Sequence, residues 1–251
     1  MRKTTLITGA TSGFGRSTAI LLAKHGYRLI ISGRRNDRLE EIKRQIIQLG
    51  SECITLCFDI RDQKEVAKQI ESLPEDWRDI DILINNAGLA AGKEKIQDGL
   101  LLNWERMIDT NIKGLLYMTQ AVLPAMVEKN SGHIINIGST AGREAYEGGN
   151  IYCATKHAVD ALSKSMRIDL LKHKIKVSQV RPGLAETEFS KVRFDGDEQE
   201  ASKVYQNLNP LVGDDIADAI FYILTRPLHV CINDLEITCT AQANSTMVYR
   251  D

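Results

Sequence analysis

The chain has 251 residues, 43% hydrophobic and 26% charged, with a formal net charge of −1. That supplies a large buried core and gives no charge excess that would draw it to nucleic acid or an anionic membrane. The longest apolar runs, such as Leu29–Ile31 and Ile134–Ile137, are far too short to cross a bilayer. Five cysteines, Cys53, Cys57, Cys153, Cys231 and Cys239, fall in no disulfide or zinc spacing and point to a reduced, cytoplasmic setting. The start, Met1-Arg2-Lys3-Thr4, runs into a strand pattern in place of a signal-peptide core.

In chain order, Thr4–Thr8 reads as a β-branched strand, then a glycine-rich turn spans Gly9-Ala10-Thr11-Ser12-Gly13-Phe14-Gly15, then a helix covers Gly15–His25. Gly9 would allow the tight turn, Gly13 would let backbone approach a pyrophosphate, and Gly15 would let the helix pack on the strand. Amides at the helix start would face the phosphates, so the expected ligand is a dinucleotide. The spacing is G-x-x-x-G-x-G and not the commoner G-x-G-x-x-G; its position after the first strand carries the argument. Strand and helix patterns then alternate: Arg28–Ser32 and Asp37–Leu49, Cys53–Phe58 and Gln63–Leu73, Ile82–Asn85 and Trp104–Val127. His133–Gly138 and Ile151–Lys172 follow, then Lys176–Arg181, a helix over Asp214–Leu224, and a last strand near Leu235–Cys239. With no linker or repeat, this predicts one α/β domain: a doubly wound parallel sheet with helices on both faces. Ligands belong beyond the carboxyl ends of its strands.

Tyr152 and Lys156 stand one helical turn apart and share a face. A free phenol titrates near pKa ~10 and is a poor base at pH 7; a neighbouring cation favours the phenolate by about 1.4 kcal/mol per unit of lowering. Ser139 follows the His133–Gly138 strand pattern. His157 points about a hundred degrees away from Lys156, and His133 lies in a strand. No spacing suggests a metal site.

Taken together, Thr8-Gly9-x-x-x-Gly13-x-Gly15, Asn85-Asn86-Ala87-Gly88, Ser139 and Tyr152-x-x-x-Lys156 make the chain resemble the short-chain dehydrogenase/reductase family over essentially its whole length. The resemblance implies a Rossmann-type domain across residues 1–251 that carries the catalytic residues, with 184–212 as a substrate-binding loop. It implies Tyr152 as general acid/base, Lys156 lowering its pKa and bonding the nicotinamide ribose, and Ser139 holding the substrate oxygen. Asn111 would position a water linking Lys156 to solvent; otherwise it is a surface Asn tolerated in a helix. For the cofactor, it implies contacts from Gly9, Thr11, Ser12, Gly13, Phe14 and Gly15. Asp59 and Ile60 would border the adenine, with Asp59 also a candidate helix cap. Asn86, Ala87 and Gly88 would lie under the cofactor's centre, and Pro182, Gly183 and Thr187 beside the nicotinamide.

The second strand ends Ile31-Ser32-Gly33-Arg34-Arg35, with Gly33 where NAD-preferring relatives carry an acid. Without that carboxylate, Arg34 and Arg35 can grip a 2′-phosphate, so NADP is expected over NAD. The alternative is that both arginines solvate a loop before a helix capped by Asn36.

Ala141–Tyr146, Gly148–Tyr152, Glu186–Phe194 and Val204-Tyr205-Gln206 resemble the family's NADP-dependent 3-hydroxy acid dehydrogenases. That resemblance implies oxidation of serine, L-allo-threonine and 3-hydroxyisobutyrate-type substrates. A substrate carboxylate asks for a cation; Arg143 and Arg193 are candidates, unless Glu144 or Glu186 pairs with them. A broad carbonyl or 3-oxoacyl reductase is the alternative enzyme. A non-catalytic NADP binder would have no need of Asn111, Ser139, Tyr152 and Lys156 together. Relatives commonly assemble as tetramers, which implies a homotetramer here, although Leu115, Leu116, Val122, Ala158 and Leu162 could equally cover the sheet.

Overall fold

A computed structural model describes residues 2–250; Met1, at the start read above, and Asp251 lie outside the described residues. Seven strands form one sheet: β1 (Thr4–Ile7), β2 (Arg28–Gly33), β3 (Cys53–Cys57), β4 (Ile82–Asn85), β5 (Gly132–Ile137), β6 (Ile175–Pro182) and β7 (Asp234–Ile237). Their order is β3-β2-β1-β4-β5-β6-β7 and every neighbouring pair is parallel, with Leu6 opposite Ile30 on one side and Leu83 on the other. Parallel strands must bury both faces, which is why Leu29, Ile30 and Ile31 run without a polar interruption and are all fully buried.

The helices are α1 (Gly13–Lys24), α2 (Asn36–Gln48), α3 (Gln63–Glu71), α4 (Leu101–Ile108), α5 (Leu115–Glu128), α6 (Asn150–Asp169), α7 (Glu188–Arg193), α8 (Glu198–Lys203) and α9 (Gly213–Leu224). Leu22 of α1, Ile42 of α2 and Ile220 of α9 cover one face of the sheet; Val66 of α3, Val122 of α5 and Met166 of α6 cover the other. Each such side chain taken fully out of water contributes about 1.5–3 kcal/mol before conformational entropy is counted. β1 leads to β2 on one side and lies beside β4 on the other. The crevice where connections diverge therefore opens above β1 and β4.

Several local expectations change. The helix expected over Trp104–Val127 is divided: α4 ends at Ile108, Asp109–Gly114 is a π-helical turn, and α5 follows. Helical periodicity continues through such a bulge, so the sequence does not announce it. The helix expected to reach Lys172 stops at Asp169, and Leu171–His173 is a short 3₁₀ turn ended by Lys174 at φ 55°. Asn36 does not cap α2 but is its first residue, and the cap position belongs to Arg35. Asp62, not Asp59, caps α3 by accepting from the amides of Lys64 and Glu65. Among the described residues, no helix is long and apolar enough to cross a membrane.

One buried charge fixes the helix that carries Tyr152. Arg181 on β6 is 1% exposed and donates to Asp160 of α6 at 2.5 Å and Asp234 of β7 at 2.7 Å. A buried pair of this kind adds little net stability but penalises any other placement of α6 against β6.

Candidate active site

The glycine turn and the turn after β4 are locked together. Gly9 has φ 65°, and a β-carbon there would lie 2.8 Å from the Ala87 Cα, so only glycine fits. The Thr8 hydroxyl accepts from the amides of Asn86 (3.0 Å) and Ala87 (2.9 Å). The Asn86 side-chain amide donates back to the carbonyls of Thr8 (2.8 Å) and Gly9 (3.1 Å). Gly15 lets α1 approach this junction; a β-carbon on it would meet Asn86 Nδ2 at 2.5 Å. Ser12, at the cap position of α1, makes no side-chain cap bond, which leaves the first amides of the helix for an anion.

At the end of β2, the two arginines behave differently. Arg34 is exposed and, among the described residues, pairs only with Asp59, at 3.6 Å. Arg35 donates to Thr11 Oγ1 (2.9 and 3.3 Å), Ser12 Oγ (3.1 Å) and Glu188 Oε2 (2.8 Å). Partial burial works to raise the Asp59 carboxyl, but hydrogen bonds and charge from Arg61, with the charge of Arg34, hold it below the usual range.

Tyr152 and Lys156 are both buried on the first turns of α6. Lys156 Nζ donates to the Ile137 carbonyl at 2.8 Å and lies 5.9 Å from the centre of the Tyr152 ring. Its other two N–H groups remain for a ligand. Burial lowers the ammonium pKa to about 8. The expectation that Lys156 depresses the phenol is not what the protein alone produces. Burial pushes the Tyr152 phenol up, with Tyr146 adding to the rise, while hydrogen bonding to Ser139 and the charge of Arg193 oppose it. Lys156 is itself desolvated and aimed at a backbone carbonyl, so the protein without ligands keeps Tyr152 as a proton donor.

Asn111 is not a surface residue. The π turn directs it inward, 2% exposed, where Oδ1 accepts from the Leu89 amide (2.8 Å) and Nδ2 donates to the Leu89 carbonyl (2.8 Å) and Thr155 Oγ1 (3.0 Å). A β-carbon on Gly88 would lie 3.2 Å from Asn111 Oδ1 and 3.6 Å from Lys156 Nζ, so both groups back the same point of the turn.

Of the residues expected to meet ligand, all but Gly15, Asn111 and Arg143 line one cleft of about 830 Å³. Arg143 is exposed on the turn after Ser139 and forms none of its walls. Arg193 is a wall. It donates to the Gly92 carbonyl (3.1 Å), the Tyr146 hydroxyl (3.0 Å) and the Gly148 carbonyl (3.3 Å), and its guanidinium carbon is 5.9 Å from the Tyr152 ring centre. Among the described residues no carboxylate pairs with it; Glu186 does not reach it.

Two sets of walls were not singled out residue by residue in the sequence, although Phe189 and Val192 fall within the 184–212 loop expected to meet substrate. Leu89, Phe189 and Val192 make the space beside Tyr152 apolar, with the Phe189 ring 5.6 Å from that of Tyr152. The C-terminal segment turns back over the cleft: Gln242 Oε1 accepts from the Leu184 amide at 2.7 Å, and Arg250 donates to the carbonyls of Val204 and Gln206. Nothing in the polar run from Ala241 to Thr246 signals this, because the bonds are to backbone far away in sequence.

A parallel sheet with a glycine turn at its crevice, and a serine, tyrosine and lysine at the same opening, is the layout of a dinucleotide-dependent oxidoreductase. The chain belongs to the short-chain dehydrogenase family, whose profile matches residues 3–198. It is 47% identical over 239 residues to the NADP-dependent 3-hydroxy acid dehydrogenase YdfG of Salmonella typhi, covering 95% of each chain. It is 45% identical over 250 residues to the NADP-dependent 3-hydroxy acid dehydrogenase of Schizosaccharomyces pombe, covering 99% of this chain and 96% of that one. Among solved structures, the closed form of serine dehydrogenase complexed with NADP+ superposes with a TM-score of 0.93 at 46% identity, over 99% of this chain and 100% of that one.

Proposed function

We propose that this chain is an NADP-dependent dehydrogenase that exchanges hydride between the nicotinamide and the hydroxyl-bearing carbon of a small 3-hydroxy acid. Arg193 carries the substrate side of this reading: a cation without a carboxylate partner among the described residues, 5.9 Å from the Tyr152 ring centre, in a cleft where Leu89, Phe189 and Val192 are apolar walls and Ser139 a polar one. A short acid with a hydroxyl two carbons from its carboxylate would reach from that guanidinium to Ser139 and Tyr152. When bound, the cofactor supplies the hydride acceptor or donor. Tyr152 takes the hydroxyl proton in oxidation and returns it in reduction, Ser139 holds the oxygen, and Lys156 turns its spare N–H groups to the ribose. Asn111 fixes the backbone at Leu89 and holds the water path behind Lys156. Residues 184–212, with α7 and α8, form the substrate lid.

Purified protein is to be tested with NADP against L-serine, L-allo-threonine and 3-hydroxyisobutyrate, with an uncharged ketone and an acyl thioester in the reductive direction. Oxidation of the hydroxy acids is expected. In Arg193→Gln their KM should rise roughly 10- to 100-fold, while the KM for the ketone changes little. Strong thioester reduction with no hydroxy-acid oxidation would overturn the reading.

The same reading assigns the 2′-phosphate to Arg34, the freer of the two arginines, with Arg35 beside it. Arg34→Ala is expected to lower kcat/KM for NADP about 10- to 100-fold and leave NAD nearly unaffected. An equal or better specificity constant for NAD in the unaltered protein would refute the preference. Exposed apolar residues at both ends of the α4–α6 layer, Leu101 and Leu102 at one and Ile168 and Leu171 at the other, support assembly as a homotetramer. The five free cysteines suit a reducing cytoplasm.

A further inference from the structure

The two walls of the cofactor groove are joined by a charged pair. One wall is the end of β2 with the glycine turn; the other is the start of α7 in the lid. Arg35 belongs to the first and is held there by Thr11 and Ser12. Its remaining bond crosses to Glu188, 153 positions away in the chain, at 2.8 Å. Burial works to raise the Glu188 carboxyl, but Arg35 and the Ser12 hydroxyl hold it below the usual range, so it stays ionised.

The neighbouring residue makes the same crossing. Thr187 caps α7 by accepting from the Phe189 amide at 3.2 Å, and its Cβ lies 3.3 Å from where a β-carbon on Gly13 would sit. The far end of the lid is tied separately, by Arg193 to Gly92 and Gly148 and by Arg250 to Val204 and Gln206. Among the described residues, only the Glu188 bond ties its near end by charge, and it does so beside the phosphate cradle.

We propose that Arg35 and Glu188 form a clamp across the cofactor groove, with Glu188 a positioning residue that keeps Thr187 and the first turn of α7 against the glycine turn while a dinucleotide is bound. The inference rests on the dinucleotide site described above. Both side chains are about two-fifths exposed (43% and 39%), so the pair is screened and opens at small cost, as a reversible lid requires. Arg35 is already oriented by its bonds to Thr11 and Ser12, so closing the clamp orders mainly Glu188.

The test is stopped-flow release of NADPH, and separately of NADH, from the full-length protein, followed by the fluorescence of the reduced nicotinamide. Glu188→Gln is expected to speed release roughly two- to fivefold for both cofactors alike, because the 2′-phosphate is assigned to Arg34, and Arg35 keeps its bond to Glu188. Raising ionic strength should accelerate release of NADH from the unaltered protein but much less from the variant. With NADH, Arg35→Gln/Glu188→Gln should release no faster than Arg35→Gln alone, as expected for partners in one interaction. Unchanged release overturns the clamp. Tighter NADPH binding with NADH unaffected also overturns it, since Glu188 would then compete with the 2′-phosphate for Arg35. Should the unaltered protein prefer NAD, the NADP assignment fails while the NADH measurements still decide the clamp.

Discussion

Replacing Tyr152 with Phe is expected to cut turnover about a thousandfold while NADPH affinity stays within a few-fold of its original value. Tyr152 is 9% exposed, and its ring is packed against Phe189 and Cys153; phenylalanine preserves that packing and removes only the hydroxyl. The missing atom is the one beside Ser139 that can carry a proton to or from the substrate oxygen. Titrating cofactor fluorescence beside a turnover assay separates the two effects, and normal turnover in the variant would remove the tyrosine from the mechanism. The same geometry gives a direction with pH. Because burial keeps the phenol protonated, reduction starts from the right protonation state, whereas oxidation must first lose that proton. Oxidative kcat/KM should therefore climb with pH, approaching tenfold per unit below the controlling pKa.

The second large effect couples loss of activity to a gain in stability. Lys156→Met is expected to abolish measurable turnover and to raise the Tm of the cofactor-free protein at pH 7 by about 3–6 °C. The buried ammonium titrates near 8 in the folded chain against an ordinary 10.5. Below about pH 8 the folded state holds the charge at a cost on the order of 3 kcal/mol. Loss of the bond to the Ile137 carbonyl returns about 1 kcal/mol of that when methionine replaces lysine. Between pH 8 and 10.5 the unfolded chain binds more protons than the folded one. The unaltered protein therefore gains stability with pH across that window, so the difference from the variant narrows, closes and then reverses by about 1 kcal/mol, the worth of the bond to the Ile137 carbonyl that only lysine makes. Thermal melts across pH 7–11 check the sign. A variant less stable at pH 7 would mean that Lys156 supports the fold instead of burdening it. The strain has a functional reading: an ammonium short of partners is preorganised for a hydroxyl-rich ligand.

Both effects depend on residues that stand out in the sequence, yet their environment does not. The i, i+4 spacing of Tyr152 and Lys156 places them on one helix face in any context, but whether the lysine depresses the phenol depends on what else the ammonium touches. Here it touches the end of β5, which is 19 positions away in the chain. Asn111 shows the same limit. Its position within a helical run was legible, but the π turn that swings it onto Leu89 was not, because a bulge leaves the apolar period on either side intact. Arg143 and Arg193 were equal candidates in the sequence for a cation beside Ser139; only the packing of α7 over the cleft separates one from the other.

What the sequence determined alone is the architecture and the inventory. Unbroken apolar strands require cover on both faces, and their alternation with amphipathic helices leaves a doubly wound parallel sheet as the arrangement that buries both. The glycine turn after the first strand then fixes which end of the sheet takes phosphates. The tertiary structure decided everything set by distance between remote segments: the protonation of Tyr152, the outward placement of Arg143, the C-terminal cover and the bond from Arg35 to Glu188. The physical reason is range. Periodicity and turn chemistry act over a few residues and are written locally, whereas desolvation and ion pairing depend on groups such as Ile137 and Lys156, 19 positions apart, or Arg35 and Glu188, 153 apart, that meet only once the chain has folded.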